Sequence, residues 1–296
     1  MIKKTTAEIL FSVHNDLGEG PLWHPTEKCL YWVDITAGEL LQSKPDLTAF
    51  QTYHFDLMIG AFGFRETGGV ILATSHGFSL WEIGQTQPKI LWNPLPERKD
   101  VRMNDGKVDP AGRFWAGSMD ANQRQGELYR LDPDGSQHIL LDHIGISNGI
   151  GWSPDRKTMY YTDSIQSTIF AFDYDLATGR ISNQRPFIQL PEDERGIVPD
   201  GLCVDLEGCI WSAHWNGWEV VRYDPLGHPI LIIEVPTQQV TSCCFGGEKL
   251  DQLFITTARI DLPDENLTQQ PQAGDLFVYQ TQTRGQAANF FGCEST

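Results

Sequence analysis

The chain has 296 residues and a hydrophobic content of 40%, enough apolar side chains for two average domains or for one large all-β domain. Its formal net charge of −17 at pH 7 argues against nucleic acid and anionic membrane surfaces as partners, because their phosphates would be repelled. No apolar run approaches the roughly 18 residues of a spanning helix, and the N-terminus lacks the apolar segment of a signal peptide. We therefore expect a cytoplasmic protein that binds neither nucleic acid nor a membrane.

Six repeats follow one another along the chain. Each has an apolar first residue, a turn containing Pro, Asp or Gly, and a short run rich in β-branched and aromatic residues. The intervals between them are 41, 44, 44, 52 and 41 residues, with units beginning at Trp23, Phe64, Val108, Trp152, Val204 and Phe245. A further strand, usually opened by glycine, follows in every unit. A fourth apolar run then closes the first five units, as FQTYHF, PKILWN, HILLDHI, RPFIQL and PILIIEV.

Four-stranded units repeating every 40 to 50 residues or so are typical of a β-propeller. The sequence therefore predicts an all-β, six-bladed β-propeller in which residues 1–296 form a single domain. The sixth unit has no fourth apolar run, whereas AEILFSV at residues 7–13 is left over at the other end. We expect this N-terminal strand to close the last blade and remove an exposed edge. A ring closed in this way needs no partner chain, so we expect a monomer.

Four oxygen-bearing side chains occupy one phase of the repeat. Each lies four positions before the first residue of its unit and is followed by glycine within two residues: Glu19, Asn104, Asn148 and Asp200. Repeats that turn about an axis bring side chains of one phase together on that axis. We place these residues on the loops that lead into the innermost strands. Gly60 and Thr241 hold the same position in the other two units, and we expect them to leave one side open for substrate.

Turn chemistry is the competing explanation, because Asn-Gly and Asp-Gly are common turn dipeptides. Glu19 favours the other explanation, since glutamate is a poor turn former. A ring of carboxylate and carboxamide oxygens is suited to one divalent cation, with calcium, zinc, manganese, magnesium and ferrous iron all compatible. Arg102 precedes Asn104 by two residues, so both side chains could face the same side of an extended segment. A guanidinium there would be placed to bind substrate oxygens.

Other motifs carry less information. Residues 145–149 match the Gly-x-Ser-x-Gly elbow of serine hydrolases, but a strand rather than a helix follows, so we do not expect Ser147 to be a nucleophile. His214 and Trp215 end the second strand of the fifth unit, where either a pocket role or a packing role is possible. The cysteines show no disulfide framework or zinc spacing, so we expect reduced thiols at Cys29, Cys203, Cys209, Cys243, Cys244 and Cys293.

The segments LGEGPLWH, RMNDGKVDPAGRFWAGSMD, SNGIGWSPDRKTMYYTDS and PDGLCVDLEGCIWSAHW resemble the SMP-30/gluconolactonase/regucalcin family of six-bladed lactonases. The resemblance implies that Glu19, Asn148 and Asp200 bind the metal, with Asp200 also the general base. It further implies that Arg102 and Asn104 hold the hydroxyl groups of the substrate. Family members often carry another acidic residue after the AGSM strand. Here that insertion is short, and Asp120 is the nearest candidate for a substrate contact.

The implied activity is metal-dependent hydrolysis of a pentono- or hexonolactone to the aldonic acid. The metal would polarise the lactone carbonyl, and Asp200 would accept a proton from the attacking water. Two alternatives remain open at this point. One is a metal-dependent phosphotriesterase or esterase, which would use the same cation and base. The other is a non-enzymatic calcium-binding propeller, which would need a metal site but no base.

Overall fold

The structure, a computed structural model, describes residues 2–96, 98, 101–120, 122 and 124–292. Two short strands come first, β1 (Lys3–Thr6) and β2 (Glu8–Phe11). The first blade contains β3 (Gly18–His24), β4 (Cys29–Asp34), β5 (Glu39–Ser43) and β6 (Phe50–His54). The second contains β7 (Ile59–Arg65), β8 (Val70–Thr74), β9 (Gly77–Trp81) and β10 (Lys89–Trp92). The third contains β11 (Arg102–Val108), β12 (Phe114–Met119), β13 (Gly126–Leu131) and β14 (Gln137–Ile144).

The same order continues in the second half of the chain. The fourth blade contains β15 (Ser147–Trp152), β16 (Thr158–Asp163), β17 (Thr168–Tyr174) and β18 (Ile181–Gln189). The fifth contains β19 (Val198–Val204), β20 (Ile210–Trp215), β21 (Glu219–Tyr223) and β22 (Pro229–Glu234). The sixth contains β23 (Val240–Gly246), β24 (Gln252–Thr257) and β25 (Leu276–Gln280), and the last described strand is β26 (Phe290–Phe291). A 3₁₀ turn (Ser164–Gln166) and a short helix, α1 (Asp264–Gln269), lie between strands.

Both ends of the chain join the ring. Strand β2 pairs antiparallel with β25 and supplies the fourth strand of the sixth blade, which confirms the predicted closure. Two further pairings were not predicted. Strand β1 adds parallel to β22 as a fifth strand of the fifth blade, and β26 pairs parallel with the innermost strand β7 of the second blade. The C-terminal sequence is polar and gave little sign of a strand. Only two of its described residues pair.

The innermost strands are neighbours in a closed cycle, with β3, β7, β11, β15, β19 and β23 each contacting the next and β23 contacting β3. This confirms the six-bladed β-propeller. Among the described residues the buried apolar side chains form six clusters, each shared by two adjacent blades. Trp32 and Phe254, for example, both lie fully buried in the cluster between the sixth and first blades. The core therefore lies between adjacent blades all the way around the axis.

A buried aspartate stabilises the turn between the first two strands of the third blade. Asp109 Oδ1 accepts hydrogen bonds from the backbone N–H groups of Ala111 and Arg113, and its Oδ2 accepts from the side chains of Arg113 and Trp115. Asp205 makes equivalent bonds in the fifth blade. These carboxylates hold the ends of the innermost strands in register. In the described part of the chain, no helix has both the length and the apolar character needed to cross a bilayer.

Candidate functional site

A β-bulge interrupts every innermost strand at the repeat position singled out in the sequence. The register against the second strand shifts between Glu19 and Leu22, and equivalent shifts occur in the other five blades, at Ile59/Ala61, Met103/Gly106, Asn148/Ile150, Pro199/Leu202 and Val240/Ser242. Bulges re-aim side chains and are frequent beside functional sites. The prediction that the ring residues lie on loops before the strands is wrong, because they lie within the strands, at these bulges.

The four oxygen-bearing residues do converge. Together with Arg102 they line one pocket of about 320 Å³ on the propeller axis. The described residues around this pocket, here called the axial pocket, are Leu17, Glu19, Arg102, Asn104, Met119, Ile146, Asn148, Ser164, Val198, Asp200, Trp215, Ile260 and Asp261. Five of the six site residues named from the sequence are therefore brought together. Asp120 is not among the lining residues.

A hydrogen-bond chain fixes the orientation of the two asparagines. Arg102 Nη1 donates to Asn104 Oδ1 at 2.6 Å, and Asn104 Nδ2 donates to Asn148 Oδ1 at 3.0 Å. Asn148 Nδ2 in turn donates to Ser164 Oγ at 2.9 Å, and Ser164 Oγ donates to the carbonyl oxygen of Pro199 at 2.7 Å. Asn104 thus uses its oxygen to bind Arg102. Asn148 directs its oxygen, which has a second lone pair, toward the ring.

Two buried carboxylates oppose each other's ionisation in the axial pocket. Burial raises the pKa of Glu19 to about 8, and the negative charge of Asp105 adds to the shift. Burial also raises the pKa of Asp200 well above its usual range, with Glu19 and Asp105 contributing repulsion. Arg102 acts in the opposite direction on both groups. Without a further positive charge, the ring therefore favours protonated carboxyl groups.

Asp105 is a member of this acidic group that sequence reasoning missed. It belongs to an Asp-Gly dipeptide, which is a common turn signal, yet it lies within β11 with 6% of its surface exposed. Burial raises its pKa, while Lys107 and a 2.6 Å hydrogen bond from the backbone N–H of Gly106 lower it. Nothing in the sequence marked it, because its place in the group depends on the bulge between Met103 and Gly106. A bulge turns two successive residues away from the usual alternation.

The donor set fits a hard divalent cation. Asp200 Oδ1 is buried and has no hydrogen-bond partner among the described residues, which is costly unless another group binds it. Glu19, Asn148 and Asp200 supply two carboxylates and one carboxamide oxygen, the ligand types of calcium and related ions. In the part of the chain that the structure describes, no three His, Cys, Asp or Glu side chains are arranged as a metal site. A cation here would therefore use the amide oxygen as well as the carboxylates.

The two remaining ring positions are structural, and neither is among the lining residues of the axial pocket. A Cβ atom on Gly60 would lie 2.5 Å from the carbonyl oxygen of Met103 and 2.6 Å from that of Asn104. Glycine is needed there because the innermost strands of the second and third blades approach closely. Thr241 is buried and donates a hydrogen bond from Oγ1 to the carbonyl oxygen of Gly18 at 2.6 Å. Both residues hold neighbouring blades together.

The other candidates take separate places. Asp120 follows β12, is 6% exposed, and accepts a 2.6 Å hydrogen bond from Arg98 Nη2. His214 is buried between Glu219 and Tyr223, with both of its ring nitrogens 3.2 Å from these partners, which is a packing role. Trp215, by contrast, lines the axial pocket.

The remaining sequence motifs do not contribute reactive groups to the site. Ser147 is fully buried at the start of a strand, as expected for a residue that is not a nucleophile. The five described cysteines are free and buried, and Cys293 lies outside the described residues.

Comparison with known proteins agrees with the fold and with the sequence segments. Residues 17–259 match the family described as SMP-30/Gluconolactonase/LRE-like region. Regucalcin from Bos taurus is 38% identical over 268 residues, which cover 88% of this chain and 89% of that protein. A crystal structure of a calcium-binding regucalcin from Agrobacterium tumefaciens superposes with a TM-score of 0.93 at 27% identity, covering 99% of both chains. A luciferin-regenerating enzyme superposes with a TM-score of 0.89 at 28% identity, covering 97% of this chain and 99% of that one.

The family and its members point to a gluconolactonase- or regucalcin-like function. They also agree with the resemblance drawn from the sequence segments, which lie in the same region as the family match. The chain belongs to the SMP-30/gluconolactonase/LRE-like family.

Proposed function

We propose that this protein is a lactonase that hydrolyses an aldonolactone to the aldonic acid with the help of one divalent cation. The observation that carries the proposal is the buried, unpartnered Oδ1 of Asp200 in a pocket that also holds Glu19, Asn148 and Arg102. The pocket, at about 320 Å³, has room for a pentono- or hexonolactone. The family match supports the same class of reaction, and the calcium-binding relative supports calcium as the first cation to test.

Glu19, Asn148 and Asp200 would hold the cation. When bound, it supplies positive charge that favours the ionised carboxylates and polarises the lactone carbonyl as a Lewis acid. The arrangement of the asparagines supports this assignment, because the Asn104 oxygen accepts a bond from the charged guanidinium of Arg102, whereas the Asn148 oxygen accepts only from the neutral amide of Asn104. Calcium, zinc, manganese, magnesium and ferrous iron all remain compatible with three protein ligands of this kind.

The chain's own residues perform the remaining steps. Asp200 accepts a proton from the water that attacks the lactone carbonyl. The C–O bond between the carbonyl carbon and the ring oxygen then breaks, and the ring oxygen takes up the proton as a hydroxyl group, leaving the open-chain acid. Arg102 and Asn104 bind the ring hydroxyls and orient the substrate, which lowers the entropic barrier. The Arg102 guanidinium is suited to this because it remains charged even though burial lowers its pKa to about 10.

The decisive experiment is a pH-stat assay on a panel of pentono- and hexonolactones, after chelation and after addition of each divalent cation. We expect lactone hydrolysis that depends on the cation and is abolished in Asp200→Ala and Glu19→Ala. Glu248→Ala serves as the control, because this glutamate is largely exposed and pairs with Lys28 at the surface. Full activity of either pocket variant after stringent chelation would refute the proposal.

The same preparations separate the two alternatives. An aryl phosphotriester assayed beside the lactones tests for a phosphotriesterase, which we expect to be the weaker activity. Binding of Ca²⁺ without turnover of any lactone would favour a non-enzymatic propeller instead.

A further inference from the structure

Above the ring of carboxylate and carboxamide side chains, the walls of the axial pocket are of two kinds. Alternate residues of a strand face the same side, so the residue two positions before each ring member also reaches the pocket. On the third blade this residue is Arg102. On the first, fourth and fifth blades it is apolar: Leu17, Ile146 and Val198. Arg102 is the only cationic side chain among the described lining residues. In this row above the ring, the one side chain that can bind hydroxyls therefore lies on the third blade.

The side formed by the fourth, fifth and sixth blades is apolar at this level. It consists of Ile146, Val198, Trp215 and Ile260, which we call the apolar wall. All four are only partly buried, so they present apolar surface to the pocket. Trp215 and Ile260 are backed by the buried cluster between the first and second blades, which fixes their position. This wall offers no side-chain hydrogen-bond donor or acceptor apart from the indole N–H of Trp215.

A substrate with hydroxyl groups on every side does not match this division. Hydroxyls facing the apolar wall would lose water without gaining partners, whereas a methyl group there would bury favourably. The charge of the pocket also matters. Asp261, at the exposed edge of the lining, is acidic, and no second cation accompanies Arg102 among the described lining residues. A phosphorylated or otherwise anionic lactone would therefore be disfavoured.

We propose, on the basis of the lactonase function above, that the substrate is a neutral lactone with one hydroxylated edge and one apolar edge, as in the 6-deoxyaldonolactones. The hydroxylated edge faces Arg102 and Asn104, and the methyl end faces the apolar wall. Trp215 contributes a flat surface against which the C–H groups of the substrate pack.

Three substrate pairs, each differing only at the 6-hydroxyl, test the proposal: L-rhamnono- and L-mannono-1,4-lactone, L-fucono- and L-galactono-1,4-lactone, and 6-deoxy-D-glucono- and D-glucono-1,5-lactone. We expect kcat/KM to favour the deoxy member of at least one pair about 10- to 100-fold, the discrimination that an apolar site achieves against an added hydroxyl. Equal or reversed preference in every pair that is hydrolysed would overturn the inference and leave the lactonase proposal standing. Failure to hydrolyse any lactone would overturn both.

Two isosteric variants test the wall itself. Val198→Thr exchanges a methyl group for a hydroxyl at nearly constant shape and keeps a β-branched residue in the strand. We expect it to reduce the deoxy preference roughly 3- to 10-fold, because the new hydroxyl can bind the 6-hydroxyl. Val278→Thr is the control, since this valine is also partly buried but lies on the third strand of the sixth blade, away from the pocket. An unchanged preference in Val198→Thr, or an equal change in the control, would overturn the assignment of the wall.

The charge of the substrate is tested separately. Faster hydrolysis of 6-phospho-D-gluconolactone than of D-glucono-1,5-lactone would contradict the inference that the substrate is neutral.

Discussion

Replacing Glu19 with glutamine is expected to stabilise the cation-free protein. The side chain is 5% exposed, and its pKa rises from 4.5 to about 8 on folding because of burial and the charge of Asp105. In the unfolded chain at pH 7 the carboxyl group is ionised, whereas in the folded protein it must keep its proton or ionise at a cost. This pKa shift lowers the free energy of unfolding by roughly 3 kcal/mol at pH 7, at about 1.4 kcal/mol per pKa unit. Glutamine has nearly the same shape and carries no charge, so Glu19→Gln removes this cost.

The pH dependence has a definite sign. A carboxyl group whose pKa is raised by folding binds more protons in the folded state than in the unfolded state, so stability falls as pH rises. For Glu19 the loss runs from about pH 4.5 to about pH 8, the unfolded and folded pKa values. The two proteins should therefore differ little at pH 5 in chelator. The advantage of Glu19→Gln should then grow until about pH 8.

A divalent cation should make wild type more stable than Glu19→Gln, the reverse of the order expected in chelator. At 100 times its dissociation constant, a ligand that binds only the folded state stabilises it by roughly 3 kcal/mol. Wild type should gain this on addition of Ca²⁺, whereas Glu19→Gln should gain much less, because an amide oxygen carries no charge. Urea or thermal unfolding at pH 5, 7 and 8, in chelator and in Ca²⁺, measures both effects, with the exposed Glu248→Gln as the matched control. Equal stability of Glu19→Gln and wild type in chelator at pH 8, or equal gains from Ca²⁺, would refute the reasoning.

Three further predictions concern the scaffold. Asp109→Ala should lower the free energy of unfolding by about 3–5 kcal/mol in urea titrations, because it leaves Arg113 buried without its carboxylate. The control Asp173→Ala removes an exposed ion pair with Arg185 and should cost less than about 1 kcal/mol. Similar losses in both variants would contradict this. Gly60→Ala should reduce kcat/KM about 10-fold or more, because its Cβ would displace the strand that carries Asn104; wild-type kinetics would show that the strands can separate without consequence. Native protein treated with iodoacetamide at pH 7.5 and mapped by mass spectrometry should show no label at the five described cysteines, Cys29, Cys203, Cys209, Cys243 and Cys244. Burial excludes the reagent and raises the pKa of several of these thiols. Rapid labelling of any of them would disprove this.

Much of the fold was predictable because a repeated turn and strand pattern is a local signal. The six units, their third strands and the N-terminal closing strand all occur where the sequence placed them. The additions of β1 to the fifth blade and β26 to the second were not predictable, because each short segment pairs parallel with a strand far away in sequence. Such pairing depends on an edge or a position that exists only once the blades have formed.

The candidate site was only partly predictable. The spacing of Glu19, Asn104, Asn148 and Asp200 indicated convergence, because symmetry about an axis follows from the repeat alone. The bulges that turn these side chains inward could not be foreseen, nor could the inclusion of Asp105, because a bulge depends on how two strands pair. The close packing at Gly60 is likewise a property of two adjacent blades.

By itself, the sequence determined the six-bladed architecture and the identity of the polar residues on the axis, because both follow from the composition and period of the repeat. Only the tertiary structure decided how those residues contact one another. The hydrogen bond from Asn104 to Asn148, the unpartnered oxygen of Asp200 and the contact of Asp120 with Arg98 arise from atoms brought together across blades or loops. The apolar wall around Trp215 also belongs to the folded state, since its members come from three blades and meet only when the ring has closed.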